Sequence, residues 1–366
     1  MSSAILVFPE VLQISGLIDE VPHIREISRH SSLLRVATRP HLLRPEAEYL
    51  GLMPDEGQLQ PGPLMLAALK TDPPDASTQF VVSLLSLEEG GVREVTACTS
   101  QERDEILRIA TRLNTKLLTI LSGSSLDTFT GSVSMKAGLV LERLGEGRTT
   151  SAIEILERQT FQGLLPQGVG ENDLRRLIDD SVNLLGECEL NRRRLDEGKP
   201  PINLLWPWGG GIRYRVPNLA LRYGHPFSVY TTNWRMVGLT RLAGQRALPF
   251  PGFGGGLGFD FESLARELTS SVGQAIVSFD QFTPLCCNNL FEEARWLLEK
   301  IGSHVIAPLA ESGPLHLIFP TQAGGLALTF DPRNPQSNMI SLGLEAADDK
   351  KVVEQGLDGL MRSLLS

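Results

Sequence analysis

The chain has few of the residues that form disulfides or bind metals. Its 366 residues include four cysteines and six histidines. Cys286 and Cys287 are adjacent, which makes them poor disulfide partners, and no pair of cysteines has CxxC spacing. This usage is typical of a protein in a reducing compartment. The histidines form no spaced cluster with aspartates, so the sequence predicts no metal site.

Long apolar runs and basic stretches are also scarce. No run of about 18 apolar residues occurs, and Met1-Ser2-Ser3 leads into a short strand without a basic segment. We therefore expect no membrane span, no signal peptide and a cytoplasmic location. The formal net charge is −9 and the arginine run 192–194 stands alone, which argues against a nucleic-acid or membrane surface. An apolar content of 42% indicates a folded globular protein.

Strands and helices alternate in the C-terminal half. The sequence predicts strands at 228–232, 246–250, 275–279, 316–319 and 326–330, and helices at 234–242, 261–271, 290–309 and 352–365. Upstream, the sequence predicts one long helix over residues 172–197, ending before Gly198. Alternation with buried apolar strands predicts an α/β fold with a largely parallel sheet covered on both faces.

The most informative segment is 191–211, which reads NRRRLDEGKPPINLLWPWGGG. The apolar run 202–206 predicts a buried strand. The glycines at 209–211 predict a turn in which the backbone approaches a ligand or another element closely. A simpler interpretation is a tight surface loop, with Trp206 and Trp208 anchored in the core.

The same segment resembles the pattern N-x-x-R…G-x-x-P-x-N-x-x-W-x-W-G-x-G of the archaeal-type, cofactor-independent (2,3-bisphosphoglycerate-independent) phosphoglycerate mutases. These enzymes belong to the alkaline phosphatase superfamily. The matching positions are Asn191, Arg194, Gly198, Pro201, Asn203, Trp206, Trp208, Gly209 and Gly211. Weaker matches at 51–54, 62–69, 223–224, 238–244 and 251–255 extend the resemblance over nearly the whole chain. It implies an alkaline-phosphatase-like α/β core at 1–75 and 169–366, with a smaller inserted α/β domain at 76–168.

The resemblance also implies two divalent metals, such as Mn or Zn, held by Asp and His ligands around a Ser nucleophile. The chain departs from that pattern at each expected position. These positions read Phe8-Pro9-Glu10, Leu42-Leu43, Asp280-Gln281-Phe282 and Pro320-Thr321-Gln322. Leu, Pro, Phe and Gln cannot supply the coordination that two-metal phosphoryl transfer needs. We therefore predict no catalytic residues, no metal ligands and no cofactor, and a non-catalytic binding or regulatory pseudoenzyme of the glycolytic mutase family.

The retained segment predicts a ligand site at Asn191, Arg194, Asn203, Trp208, Gly209 and Gly211. A small phosphorylated or carboxylate ligand suits it, because guanidinium binds both groups bidentately. Alternatively, Arg194 pairs with Asp196 or Glu197 and the tryptophans only bury apolar area. A second glycine-rich loop, 251–258, lacks the Lys and Ser/Thr of a P-loop. A homo-oligomer is compatible with the sequence.

A second hypothesis is a divergent active mutase or phosphatase. Its candidate residues are Asp19, Glu46, Glu48, Asp55, Asp280 and His316, which the sequence does not arrange into a site. A reactive thiol at Cys286 or Cys287 is a third possibility, but no Cys/His pairing supports a nucleophile–base dyad.

Overall fold

The structure is a computed structural model. It describes residues 3–11, 20–37, 45–52, 60–70, 78–89, 91–95, 99–113, 118–121, 130–135, 163–168, 171–212, 215–253, 257–271, 273–321, 324–333 and 354–366. The chain divides into two compact units. The first unit joins Met1–Gln58 to Val216–Ser366, and the second is Leu59–Arg215.

The first unit is built on an eight-stranded, mostly parallel sheet. Its strands in chain order are β1 Ser3–Val7, β2 Ser32–Ala37, β8 Phe227–Thr231, β9 Arg246–Leu248, β10 Gln274–Ser278, β11 Leu315–Thr321, β12 Gly324–Phe330 and β13 Glu354–Gly356. They lie in the order β13-β2-β12-β11-β1-β10-β8-β9. β12 runs antiparallel to both β11 and β2, and the other pairs are parallel.

Helices of the first unit connect these strands. They are α1 Pro22–Arg29, α2 Pro45–Tyr49, α7 Leu219–Tyr223, α8 Trp234–Leu242, α9 Phe261–Ser270, α10 Phe282–Cys287, α11 Phe291–Ile301, α12 Ala307–Ser312 and α13 Leu357–Leu365. Successive side chains of β1, such as Leu6 and Val7, are fully buried. Since successive side chains of a strand point to opposite faces, both faces of the sheet are covered, as the buried parallel strands predict.

The second unit contains a five-stranded antiparallel sheet. Its strands are β3 Thr78–Glu88, β4 Gly91–Glu94, β5 Leu118–Leu121, β6 Thr130–Met135 and β7 Leu204–Gly211. Its helices are α3 Pro61–Ala68, α4 Ser100–Ala110, α5 Glu171–Gly186 and α6 Glu189–Asp196. The predicted insert at 76–168 lies within this unit, which also includes residues 59–75 and 169–215. The domain assignment itself stays a prediction.

The α/β fold class is confirmed, but several predicted elements are corrected. The predicted helix 172–197 is two helices, α5 and α6, separated at residues 187–188. The predicted helix 290–309 is interrupted by a π-helical turn at Gly302–Ile306. Within the predicted helix at 352–365, residues Glu354–Gly356 form strand β13 instead. Within the described part of the chain, none of the helices combines the length and hydropathy that a membrane crossing requires.

Candidate functional site

The side-chain amides of Asn191 and Asn203 form hydrogen bonds with backbone groups. Asn191 is fully buried, and its Nδ2 donates to the carbonyls of Leu185 (2.7 Å) and Ile202 (2.9 Å). Its Oδ1 accepts from the Ile202 N–H at 2.8 Å. Asn203 forms a two-way pair with the backbone of Leu87, at 2.7 and 3.0 Å. The two amides therefore fasten the end of α5 and the carboxyl end of β3 to the chain entering β7.

Arg194 is buried in an ion pair within the second unit. Its side chain is 1% exposed, its Nη1 lies 2.9 Å from Glu102 Oε1, and its Nε donates to the Pro200 carbonyl at 2.9 Å. One partner of Arg194 is thus a carboxylate 92 residues away in the sequence. Glu102 also accepts from the Thr99 N–H at 2.7 Å, which holds it at the start of α4.

The glycines at 209–211 lie in strand β7 and not in a turn, which corrects the prediction. Gly209 has φ +63°, and a Cβ there would lie 2.6 Å from Pro61 Cγ. A Cβ on Gly210 would overlap the Phe80 ring. The Trp208 indole donates to Ser83 Oγ at 2.9 Å across the β3–β7 pair. The close approach that the glycines predicted is real, but it is made to α3 and β3. Ligand binding stays a prediction for the six residues that the segment suggested, which are Asn191, Arg194, Asn203, Trp208, Gly209 and Gly211.

Three phenylalanines stack at the carboxyl ends of adjacent parallel strands in the first unit. Val7 of β1 is in register with Ser278 of β10 and Ile318 of β11. The next residue on each strand is therefore Phe8, Phe279 and Phe319 at one level. The Phe8 ring lies 5.0 Å from that of Phe279 and 5.1 Å from that of Phe319, and all three are buried. We refer to these three rings as the aromatic stack.

Beside the aromatic stack, Asp280 follows β10 and is held by hydroxyl groups. The Thr231 hydroxyl, at the end of β8, donates to Asp280 Oδ2 at 2.6 Å. The Ser278 hydroxyl donates to Oδ1 at 3.0 Å. The Asn233 side chain hydrogen-bonds Asp280 and donates to Glu46 Oε1 at 2.9 Å. Carboxyl ends of neighbouring parallel strands meet at one edge of a sheet, which is where ligands of open α/β folds bind.

Burial and neighbouring carboxylates raise the pKa values of Asp280 and Tyr49 at this edge of the sheet. Burial, with the charge of Glu46, raises the pKa of Asp280 to about 6, against the lowering effect of its hydrogen bonds. Burial also raises the pKa of Tyr49 well above its ordinary value, reinforced by the charges of Asp280, Glu46, Glu10 and Glu48. We call Glu10, Glu46, Glu48, Tyr49 and Asp280 the strand-end cluster.

The strand-end cluster does not match the donor set of a two-metal centre. A phosphoryl-transfer site of that kind holds its cations with several ionised carboxylates and imidazoles. Here both oxygens of Asp280 accept hydroxyl hydrogen bonds. In the described ranges, no three His, Cys, Asp or Glu side chains come close enough to hold a metal ion. The position expected for the nucleophile, 42–43, lies outside these ranges.

The candidate residues of the second and third hypotheses do not all lie at one site. Glu46 and Glu48 join Asp280 in the strand-end cluster, whereas Asp19 and Asp55 lie outside the described residues. His316 lies near the amino end of β11, where Nδ1 is 3.1 Å from Thr329 Oγ1. Burial lowers the pKa of His316 to about 4. Cys286 is buried, and the side chain of Cys287 is not described.

Sequence reasoning missed Glu10, Tyr49, Thr231 and Asn233. A usable signal was present, because Thr231 lies at the carboxyl end of one strand predicted to be parallel and Asp280 follows another. Parallel neighbours bring such positions together at the carboxyl edge. No local sequence pattern indicated that Glu46 and Tyr49 belong to this site, because both lie on the short helix α2, which is far from β8 and β10 in the sequence.

Comparison with known proteins supports the resemblance. The 2,3-bisphosphoglycerate-independent phosphoglycerate mutase 2 of Methanothermobacter thermautotrophicus is 30% identical over 142 residues, which are 38% of this chain and 35% of that protein. The chain thus matches about a third of that relative's length. No family model matches the chain. The predicted resemblance to archaeal-type mutases is confirmed at this level.

Solved structures establish the fold over nearly the full length. A cofactor-independent phosphoglycerate mutase from Thermoplasma acidophilum superposes with a TM-score of 0.58 at 12% identity, covering 99% of this chain and 98% of that chain. A protein from Pyrococcus horikoshii gives a TM-score of 0.65 at 15% identity, covering 99% and 97%. The chain is therefore phosphoglycerate mutase-like in sequence over about a third of the Methanothermobacter relative and in fold over nearly its own full length.

Proposed function

We propose that this phosphoglycerate mutase-like chain has lost two-metal phosphoryl transfer and acts as a non-catalytic binding or regulatory protein. The observation that carries the proposal is the aromatic stack at the ends of β1, β10 and β11. The resemblance places metal ligands directly after these three strands. Instead, Phe8 follows β1 and is fully buried between two further rings.

The physical argument is that the Phe8 ring provides apolar area at a position where the resemblance places a metal ligand. Phenylalanine rings pack against one another and cannot coordinate a divalent ion. The carboxylate that does follow β10, Asp280, is engaged by Thr231, Ser278 and Asn233. These contacts favour a structural or ligand-binding role for Asp280 over metal ligation.

A divergent active mutase or phosphatase is a second candidate. It is favoured by the proximity of Glu46 and Asp280 and by the pKa of about 6 for Asp280. A buried acid with a pKa in this range is suited to general acid–base catalysis near neutral pH.

The predicted partners belong to the same proposal. A cleft of about 300 Å³ in the second unit is lined by Arg193 and Arg194 of α6 and by Glu102 and Glu105 of α4. The two arginines would attract a small phosphorylated or carboxylate ligand, although both already pair with glutamates. We also propose a cytoplasmic protein, able to form homo-oligomers, without nucleic-acid or membrane partners, in keeping with its net charge of −9.

Metal content and mutase activity test the proposal together. The purified chain is incubated with excess Mn²⁺ or Zn²⁺, desalted and analysed by elemental mass spectrometry. Conversion of 3-phosphoglycerate to 2-phosphoglycerate is followed in parallel, with the Methanothermobacter relative as positive control. We expect metal close to zero per chain and no conversion. About two tightly held ions per chain, with conversion that depends on them, would overturn the proposal in favour of the second candidate.

A further inference from the structure

Exposed apolar side chains are concentrated at one place in the first unit. Within the described ranges, five large apolar side chains are exposed. Three of them, Leu290, Phe291 and Trp296, lie on the first half of α11 or directly before it, whereas Leu195 and Leu221 lie far from them in the sequence. Isolated exposed apolar residues are ordinary, but a group of them indicates an interaction surface.

Trp296 is fixed on one side by packing and open to solvent on the other. Its indole lies edge-on to the Phe261 ring of α9, with 6.4 Å between the ring centroids, yet its exposed fraction is 44%. Phe261 is itself packed against Phe259 at 4.1 Å and against His304 of the π-helical turn at 6.3 Å. A pre-positioned indole loses little side-chain entropy on binding, and tryptophan is among the residues that contribute most to interfaces.

The face of α11 that carries Trp296 is mainly acidic. Residues three and four positions apart share a helix face, so the neighbours of Trp296 on that face are Glu292, Glu293, Glu299 and Lys300. The three glutamates are exposed. Their carboxylates have no ion-pair or hydrogen-bond partner in the part of the chain that the structure describes. We refer to Trp296 with these three glutamates as the Trp296 face.

Neighbouring charges leave this surface negative. Glu262, which follows Phe261 on α9, adds another exposed carboxylate. The positive charge of Arg295 is compensated, because its guanidinium pairs with Glu20. Lys300 is the remaining basic neighbour of Trp296 on α11. Unpaired carboxylates therefore outnumber unpaired basic groups around the exposed indole, and a surface of this kind attracts positively charged partners.

We propose that the Trp296 face docks a basic, amphipathic segment of a partner protein. Apolar side chains of that segment cover the Trp296 indole, and its lysine or arginine side chains pair with Glu292, Glu293 and Glu299. An arginine guanidinium can also stack on the open face of the indole. Leu290 and Phe291, at the start of the same helix, extend the apolar area that the segment can bury.

Charge complementarity selects this occupant over the alternatives. A second copy of the chain, docked through the same face about a two-fold axis, would bring glutamates opposite glutamates. Anionic lipid would be repelled by the same carboxylates. The Trp296 face includes no residue of the aromatic stack or the strand-end cluster, so the inference stands whether or not the chain transfers phosphate.

Fluorescence anisotropy of a labelled peptide tests the proposal on the full chain. The probe contains only leucine and lysine, in the order that forms an amphipathic helix, and its control has glutamate in place of lysine. We expect saturable binding of the basic peptide and none of the acidic one. Trp296→Ala should weaken binding by about tenfold or more, whereas Leu221→Ala, which removes a side chain that is 83% exposed, should not change it.

A pair of double variants tests the charges of the Trp296 face. Glu292→Lys with Glu299→Lys should weaken binding by about tenfold or more. Glu187→Lys with Glu189→Lys makes the same change of net charge at exposed positions of the second unit and should leave the affinity within about twofold of the wild type. Circular dichroism checks that each variant is folded. If Trp296→Ala is not folded, the double variant at the exposed glutamates decides.

Four results would overturn the inference. The first is the absence of saturable binding of the basic peptide to the wild-type chain. The second is wild-type affinity in folded Trp296→Ala or in the Glu292/Glu299 double variant. The third is an equal loss in the two double variants, which would show that only net charge matters. The fourth is self-association, measured by sedimentation velocity, that Trp296→Ala abolishes, because a second copy would then cover this face.

Discussion

The hydroxyl of Thr231 donates to Asp280 Oδ2 across 2.6 Å, joining the carboxyl ends of the neighbouring parallel strands β8 and β10. The bond is one of three that Asp280 receives, with those from Ser278 and Asn233. Such bonds favour the ionised carboxylate, yet burial and the charge of Glu46 raise its pKa to about 6. Desolvation therefore outweighs hydrogen bonding at this position.

The raised pKa of Asp280 predicts that the contribution of this group to the free energy of unfolding falls as the pH rises. The group has a folded pKa of about 6 and an ordinary value of 3.8, so the folded state holds its proton more tightly. Its contribution is fully present below about pH 4 and is lost as the pH rises through 6, amounting to on the order of 2 to 3 kcal/mol. Urea denaturation between pH 4 and 8 should show this loss, and Asp280→Asn should remove it.

Asp331→Asn is the matched control for that pH series. Asp331 is partly exposed, and hydrogen bonds from Arg333 lower its pKa. Its contribution has the opposite sign, because it is present above the unfolded pKa and lost as the pH falls. The wild-type decline between pH 4 and 6 should therefore persist in this variant. A decline that Asp280→Asn leaves unchanged would contradict the assignment to Asp280.

Removing the Phe8 ring should be costly because it is the central member of the aromatic stack. Phe8 is fully buried between Phe279 and Phe319. Phe8→Ala should lower the free energy of unfolding by about 3 to 5 kcal/mol, since it removes buried area and leaves a cavity. Phe291→Ala removes a ring that is 42% exposed and should cost less than about 1 kcal/mol. Equal losses in the two denaturation curves would show that the stack is not closely packed.

Asn191 should behave as a structural residue when its hydrogen bonds are removed. Asn191→Ala leaves the buried carbonyl of Leu185 and both backbone groups of Ile202 without their partner. We expect a loss of about 2 to 4 kcal/mol in urea denaturation. Arg192→Ala, at the exposed next position, should change stability by about 0.5 kcal/mol or less. A loss of ligand affinity in Asn191→Ala with unchanged stability would instead favour the predicted binding role.

The elements that the sequence predicted well are those with local signals. Helix α8 begins and ends as predicted, and β8 and β10 each lie within one residue of their predicted bounds. Apolar runs and an N-cap are sufficient there, because Asn233 caps α8 through its own side chain. The paired strands β11 and β12 were predicted for the same reason.

The candidate sites were harder to predict because their partners are distant in sequence. Asn233 and Glu46 are separated by 187 residues and Arg194 and Glu102 by 92. No periodicity identifies such pairs. The glycines at 209–211 predicted a close backbone approach correctly, but only the antiparallel pairing of β7 with β3 reveals that they continue a strand.

The close packing of helix α3 against β3 predicts a strong glycine requirement at position 62. A Cβ on Gly62 would overlap the backbone carbonyl of Gln79, and a strand backbone cannot move aside without breaking its pairing. Gly62→Ala should cost more than about 3 kcal/mol or prevent folding. Gly186→Ala, where a Cβ would meet nothing within 4 Å, should be neutral or stabilise by up to about 1 kcal/mol. Comparable melting temperatures for the two variants would contradict the packing described for α3.

The two arginine–glutamate pairs between α4 and α6 differ in burial and should differ in coupling energy. Arg194 is 1% exposed and Glu102 is 20% exposed at 2.9 Å, whereas Arg193 and Glu105 are 57% and 33% exposed at 3.5 Å. Burial alone would raise the pKa of Glu102, but hydrogen bonds from Thr99 and Arg194 hold it below its ordinary value. Solvent screens the outer pair, so its double-mutant cycle should give less than about 0.5 kcal/mol. The inner pair should give about 1 to 3 kcal/mol, and Arg194→Ala alone should cost more, because it strands a carboxylate and the Pro200 carbonyl. If 0.5 M NaCl weakens the inner coupling as much as the outer one, solvent screens both pairs equally, which would contradict the burial of Arg194.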